Sequence, residues 1–215
     1  MIFEIDLLDD DQLYFVNKLF KHLEFKDGSR SNKRLAAQGR KKCLTSYEGN
    51  INNQLREYLS PIIGNKVGFN LCMTNITPIS FSKFNKGDLY DWHLDAVPIM
   101  NMIPHYSMTC FLNDDYEGGE LKIRIGDSVV DYKMQPGKAV IYPTEYYHTV
   151  APIISGQRQV FCAWIHSGIS DSFLRNQYLQ IVKILKKWES DLQMNPEMKD
   201  DITLLRYNIL RHAAE

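Results

Sequence analysis

The chain has 215 residues, 44% of them hydrophobic and 24% charged, with a formal net charge of -1. That is enough chain for a single domain over residues 1–215 with a sizeable buried core. The near-balanced charge gives no electrostatic case for a nucleic-acid or membrane partner, and no segment approaches the roughly 18 apolar residues of a membrane span.

Cys43, Cys72, Cys110 and Cys162 are widely separated, and three of them sit in apolar, strand-like runs. This predicts free thiols rather than disulfides or a zinc knuckle, and fits a reducing compartment. The N-terminus is acidic and lacks both a basic leader and a cleavable apolar run, so the expected location is the cytoplasm.

In chain order, Asp9, Asp10 and Asp11 supply an N-cap and acids that favour the positive end of a helix. Leu13, Val16, Leu19, Phe20 and Leu23 then follow helical spacing, which predicts a helix to about His22. From Lys26 to Lys42 the chain is polar and basic, with Arg30, Lys33, Arg34, Arg40, Lys41 and Lys42. It reads as a solvated loop, with substrate contact as the alternative role. Asn52 to Leu59 is a short predicted helix, stopped by Pro61 and Gly64.

Beyond Gly64 nine short strands are predicted: 67–74, 79–84, 90–94, 107–112, 120–125, 128–132, 139–142, 148–153 and 158–165. Turn residues punctuate them at Asn85 to Asp88, Gly118-Gly119, Gly126-Asp127, Pro136-Gly137 and Ser155-Gly156. Ser170 or Asp171 caps a helix running to about Trp188, and Asn195-Pro196 opens another to about His212. The expected class is mainly β with flanking helices (α+β). A double-stranded β-helix (jelly roll) core over about 65–167 lies between a helical N-terminal part, about 1–64, and C-terminal helices, about 170–213, with the helices of both ends expected to pack on the sheet.

The chemistry gathers at Tyr90 to Asp95. In an extended segment side chains two apart share a face, so His93 and Asp95 aim at one point. His148, at the start of a later strand, supplies a second imidazole. Two imidazoles and a carboxylate leave a metal's other positions open, which suits redox-active Fe(II) better than a closed structural zinc site. In the last strand, strict alternation puts Arg158, Val160, Cys162 and Trp164 on one face and Gln159, Phe161, Ala163 and Ile165 on the other. An inward Arg158 needs an anionic partner, which a carboxylate-bearing small molecule beside the metal would supply. The alternative is an arginine at a strand end, facing solvent or bridging to an acid. His22, His105, His166 and His212 have no partner at ligand spacing, and Trp92 and Trp164 read as core or pocket wall.

The ordered set His93-x-Asp95, Phe111 to Leu121, Pro136 to Pro143, His148 to Pro152 and Gly156 to Arg158 resembles the Fe(II)- and 2-oxoglutarate-dependent dioxygenases. Within them it is most similar to the prolyl 4-hydroxylases and the PKHD-type hydroxylases, over about residues 70 to 185. The resemblance implies that His93, Asp95 and His148 hold Fe(II) and that Arg158 binds the distal carboxylate of 2-oxoglutarate. Succinate and CO2 are the implied co-products, and ascorbate is a further cofactor expectation. The chain departs from the pattern at Phe84, where many prolyl hydroxylases have a tyrosine that binds 2-oxoglutarate; Tyr90 and Thr109 are the candidates to compensate.

The implied activity is hydroxylation of a protein or peptide side chain, with prolyl the leading target. The alternatives are hydroxylation of a free amino acid or small metabolite, and a noncatalytic metal-binding jelly-roll module. Nucleic-acid dealkylation is disfavoured, because such relatives carry a second arginine where this chain has Trp164. Ala96 to Tyr106 is expected as a loop over the iron mouth or as packing against the C-terminal helices. No oligomeric state is implied.

Overall fold

The computed structural model describes residues 1–99, 101–189 and 195–213. Its strands form two antiparallel sheets. The larger is ordered β1 (Phe3–Asp6), β12 (Lys138–Pro143), β8 (Tyr106–Phe111), β14 (Ile153–Ser167), β6 (Ser80–Asn85), β4 (Leu44–Ser46) and β2 (Lys26–Asp27). Strands β5 (Met73–Ile76) and β9 (Tyr116–Gly118) also pair with β14. The smaller sheet is ordered β11 (Ser128–Tyr132), β10 (Leu121–Ile125), β13 (His148–Val150), β7 (Leu89–His93) and β3 (Lys41–Lys42). Facing antiparallel sheets whose strand order scrambles sequence order make this a jelly roll.

The period of two along each strand decides what each sheet face touches. From the larger sheet, Phe81, Met108, Cys110, Ala139, Ile141, Phe161, Ala163 and Ile165 pack outward in a cluster with helix residues. The covering helices are α1 (Asp10–Phe20) and α3 (Asn50–Leu71), which contribute Val16, Phe20, Leu55, Leu59, Ile63, Val67 and Leu71. The opposite face sends Phe111, Val140, Tyr142 and Val160 against Leu121, Ile123 and Tyr132 of the smaller sheet. That inner packing fills one end of the barrel, and the other end is open. Helices α4 (Ser172–Glu189) and α5 (Pro196–Ala213) pack on each other, with Ile169, Tyr178 and Val182 buried in their own cluster.

Caps explain several helix starts. The Asp9 side chain accepts from the Gln12 backbone N–H while Gln12 reaches back to the Asp9 backbone, a reciprocal capping box. Asp171 Oδ1 accepts from the Leu174 N–H at 2.8 Å, so Asp171 rather than Ser170 caps the start of α4.

The structure corrects four expectations. The helix placed at 52–59 runs unbroken from Asn50 to Leu71, through Pro61 and Gly64, and replaces most of the strand placed at 67–74. Leu55, Leu59, Ile63, Val67 and Leu71 are all buried at four-residue spacing, and this stripe against the sheet outweighs the cost of one exposed proline. The N-terminal part is not all helical, since β1 pairs with β12 and the basic stretch contains β2, β3 and the short helix α2 (Lys33–Ala37). Ser155-Gly156 does not reverse the chain. Gly156, at φ 75°, lies inside β14 where pairing passes from β9 to β6, and a side chain there would meet the Asp115 carbonyl at 2.5 Å.

Candidate active site

Antiparallel pairing of β13 with β7 sets His148 directly opposite His93, with ring centroids 4.1 Å apart. Asp95 lies just past the end of β7, so it is a loop residue rather than a strand residue. Ligand atoms of His93, Asp95 and His148 all lie within 4.8 Å of one another.

Hydrogen bonds orient each of the three. His93 Nδ1 lies 2.8 Å from the Asp91 carbonyl and His148 Nδ1 lies 3.0 Å from the Tyr146 carbonyl. A carbonyl only accepts, so each Nδ1 carries a proton, and in the neutral ring this tautomer leaves the lone pair on Nε2. Those Nε2 atoms stand 4.0 Å and 3.7 Å from Asp95 Oδ1, too far for hydrogen bonds and suitably placed around a shared ion. Burial first, and then the neighbouring His148, hold the pKa of His93 well below its usual value, favouring the neutral ring that a metal requires. The other carboxylate oxygen, Asp95 Oδ2, accepts from Ser107 Oγ at 2.6 Å and from Trp164 Nε1 at 2.8 Å. One oxygen is thus anchored to the larger sheet and the other left to the ion.

Sequence reading did not single out Ser107, and it took Trp164 only as wall. The signal was present in the alternation that put Trp164 on the Arg158 face. Trp164→Phe removes one of two anchors, and the expected result is about a 10- to 100-fold loss of iron affinity with the fold retained, measured by metal titration. Unchanged affinity would show that Ser107 suffices.

Arg158 faces inward and is 1% exposed. Its guanidinium lies 5.3 Å from the ring centroids of both Phe84 and Phe111. Gly119, at φ 67°, makes room for it: a Cβ there would stand 3.2 Å from Arg158 Cδ. Burial lowers the arginine's pKa, and the neighbouring Tyr116 hydroxyl works the other way, favouring the charged form. Nevertheless, Arg158 Nε and Nη2 and the Tyr116 hydroxyl have no hydrogen-bond partner among the described residues. Nε and Nη2 form one edge of the guanidinium, the fork that matches a carboxylate with two parallel bonds.

Both ends of the site open into one cavity of about 630 Å³, lined by His93, Asp95, His148 and Arg158. Tyr90 and Thr109 line it too. Thr109 Oγ1 is 3.7 Å from Cys162 Sγ and lies beside Tyr142. Tyr90 stacks on His93 with ring centroids 3.5 Å apart, and its hydroxyl interacts with Asn32. Ala96, Pro98 and Ile99 of the loop after Asp95 also reach the cavity. A further residue, Lys41, lines it as well; it is 5% exposed and was read from sequence as part of a solvated run.

The profile of the 2OG-Fe(II) oxygenase superfamily matches residues 79–166, which contain all four residues of the site. A PKHD-type hydroxylase of Alteromonas mediterranea is 28% identical over 98% of both chains. One from Prochlorococcus marinus is 31% identical over 80% of both chains. Among solved structures, a Trichoplax adhaerens prolyl hydroxylase in complex with a hypoxia inducible factor peptide fragment superposes with a TM-score of 0.62. That match is 16% identical and covers 77% of this chain and 83% of the other.

Two imidazoles that aim Nε2 at one point, a carboxylate oxygen with no hydrogen bond among the described residues and an orphaned guanidinium fork fit Fe(II) and a keto acid with a distal carboxylate, so fold and site define a 2OG-Fe(II) oxygenase. Within that superfamily the chain belongs to the PKHD-type hydroxylases. Among the described residues no helix is long and apolar enough to cross a membrane.

Proposed function

We propose that His93, Asp95 and His148 hold the Fe(II), that Arg158 binds the distal carboxylate of 2-oxoglutarate, and that the enzyme hydroxylates a side chain of a protein or peptide, with prolyl the leading target. The carrying observation is the pairing of an open His-Asp-His cluster with a buried arginine whose carboxylate-binding edge has no hydrogen-bond partner among the described residues. Fe(II) with 2-oxoglutarate supplies oxidative decarboxylation of the keto acid to succinate and CO2, coupled to insertion of one oxygen atom of O2 into a C–H bond.

The chain's own residues do the rest. His93 and His148 present Nε2 because their Nδ1 protons are committed to backbone carbonyls. Asp95 presents Oδ1 because Ser107 and Trp164 hold Oδ2. Arg158, whose guanidinium lies 5.3 Å from the ring centroids of Phe84 and Phe111, would hold the far carboxylate of the co-substrate. Those apolar rings keep water from the ion pair and so strengthen it. Phe84 therefore replaces a hydrogen bond with a ring face, and Thr109, on the cavity side of β8, is the hydroxyl proposed to make the missing contact.

A peptide substrate is favoured by the open barrel end and by the peptide held in the Trichoplax adhaerens neighbour. The test is a peptide array incubated with protein, Fe(II), 2-oxoglutarate and air, read for a mass gain of about one oxygen atom coupled to succinate. Hydroxylation confined to free amino acids or small metabolites in a parallel screen would overturn the peptide assignment.

A further inference from the structure

The cavity contains a cation that iron and co-substrate binding do not use. Along β3 and its flanks the cations alternate in orientation. Arg40 pairs with Asp91 at 2.7 Å and Lys42 with Asp88 at 3.0 Å, while Lys41 between them points inward. It sits opposite Tyr90 in the β3–β7 pairing, with Nζ 4.1 Å from the centre of the Tyr90 ring. Lys41 Nζ also donates to Ser31 Oγ, whose own proton goes to the Gly28 carbonyl at 3.3 Å. None of the salt bridges among the described residues involves Lys41.

A 5% exposed ammonium with one hydroxyl acceptor, one ring face and no ion-pair partner within 4.0 Å among the described residues, its nearest acidic influences being Asp95 and Asp27, is incompletely satisfied. Pairing of β3 with β7 sets the inward direction in which the Lys41 side chain leaves the backbone. The cavity offers it little. Asp95 is the one acidic residue among the cavity-lining residues, and it is committed to the metal cluster and to Ser107 and Trp164. When the site is loaded, Fe(II) and Arg158 together offset Asp95 and the two carboxylates of 2-oxoglutarate. The charge of Lys41 is the one left over inside, with Arg30 at the rim hydrogen-bonded to the Tyr47 hydroxyl.

We propose that Lys41 is a specificity-determining residue that receives a carboxylate group of the primary substrate. This rests on the proposed assignment of the iron and 2-oxoglutarate positions, which leaves the Lys41 side of the cavity to the molecule being hydroxylated. A carboxylate suits a single remaining N–H; a phosphate, with three strong acceptors and roughly twice the charge, would require more donors than this corner holds. The carboxylate has two possible sources, an acidic side chain or C-terminus of a peptide and a free amino acid or small acid. A substrate lacking the group leaves the ammonium buried and unpaired, so discrimination against it is strong.

The experiment uses matched acid and carboxamide pairs: Asp and Asn, Glu and Gln, and free or amidated C-termini, each as free amino acids and within short peptides. Binding to the anaerobic protein with Fe(II) and 2-oxoglutarate is measured by calorimetry, and stimulation of succinate release is measured in air. The expected result is that acids bind at least about tenfold more tightly than their amides. That ratio falls to about one in Lys41→Met and Lys41→Gln and is largely kept in Lys41→Arg, whatever happens to the absolute rates. Preference within the peptide pairs identifies a peptide source, and preference confined to the free acids identifies a small molecule. Equal binding of acids and amides, no detectable binding of any acid, or a ratio unchanged in both neutral variants overturns the proposal. So does a tenfold weaker affinity for 2-oxoglutarate in Lys41→Met with the ratio intact, which would make Lys41 a co-substrate ligand. Failure of the underlying assignment shows separately, as a parent protein that binds neither Fe(II) nor 2-oxoglutarate.

Discussion

Arg158→Met is expected to weaken 2-oxoglutarate binding by a factor on the order of 10² to 10⁴ while leaving the ligand-free protein as stable as the parent or more so. The first effect follows from the proposed assignment, under which the unpartnered Nε and Nη2 edge would make two charge-assisted hydrogen bonds to one carboxylate, each worth about 1.5–3 kcal/mol. The second follows from the ligand-free structure, in which a fully buried guanidinium has aromatic faces on two sides and no acidic partner to offset its desolvation. Methionine fills similar apolar space and carries no charge. Anaerobic 2-oxoglutarate titration and thermal unfolding of the ligand-free protein measure the two effects. A structural arginine would give the opposite pair: unchanged affinity and a marked loss of stability.

His148→Ala is the second large effect. It removes one of the three proposed ligands and the direct cross-strand partner of His93. Iron affinity should fall by more than the roughly 10- to 100-fold that loss of an outer hydrogen-bond partner costs. Succinate release should drop to the level of protein-free iron. His93→Ala should match it, because the two rings enter the cluster equivalently, each through Nε2 with Nδ1 tied to a carbonyl. Calorimetric iron titration separates this from a folding defect, which circular dichroism would reveal. Parent-like succinate release by either variant would remove these histidines from the metal site.

What the sequence disclosed depended on how many residues carried each pattern. The alternation over Arg158 to Ile165 is long and clean, and the structure places Arg158, Val160, Cys162 and Trp164 inward and Phe161, Ala163 and Ile165 against the helices. The gathering of His93 and His148 was legible because an antiparallel return sets them opposite each other, while Asp95 reaches the same point from just past the end of β7. The α3 stripe was hidden by Pro61, Gly64 and Gly68, whose local preferences oppose a helix that tertiary packing nevertheless completes. Strand β3 is only two residues long and lies in a charged run, so no periodicity marks Lys41 as inward. Its orientation comes from pairing with Tyr90, a contact between residues remote in sequence. The anchoring of Asp95 was invisible for the same reason, since Ser107 and Trp164 reach it from strands of the other sheet.

The most direct test of the site is a visible-absorption titration of the anaerobic protein with Fe(II) and 2-oxoglutarate, in the parent, His148→Ala and Arg158→Met proteins. The parent should develop a weak charge-transfer band saturating at one iron per chain. His148→Ala should develop none, and Arg158→Met should develop it only at far higher 2-oxoglutarate. A band of parental intensity and 2-oxoglutarate dependence in both variants would contradict the placement of iron at His93, Asp95 and His148 with the keto acid on Arg158.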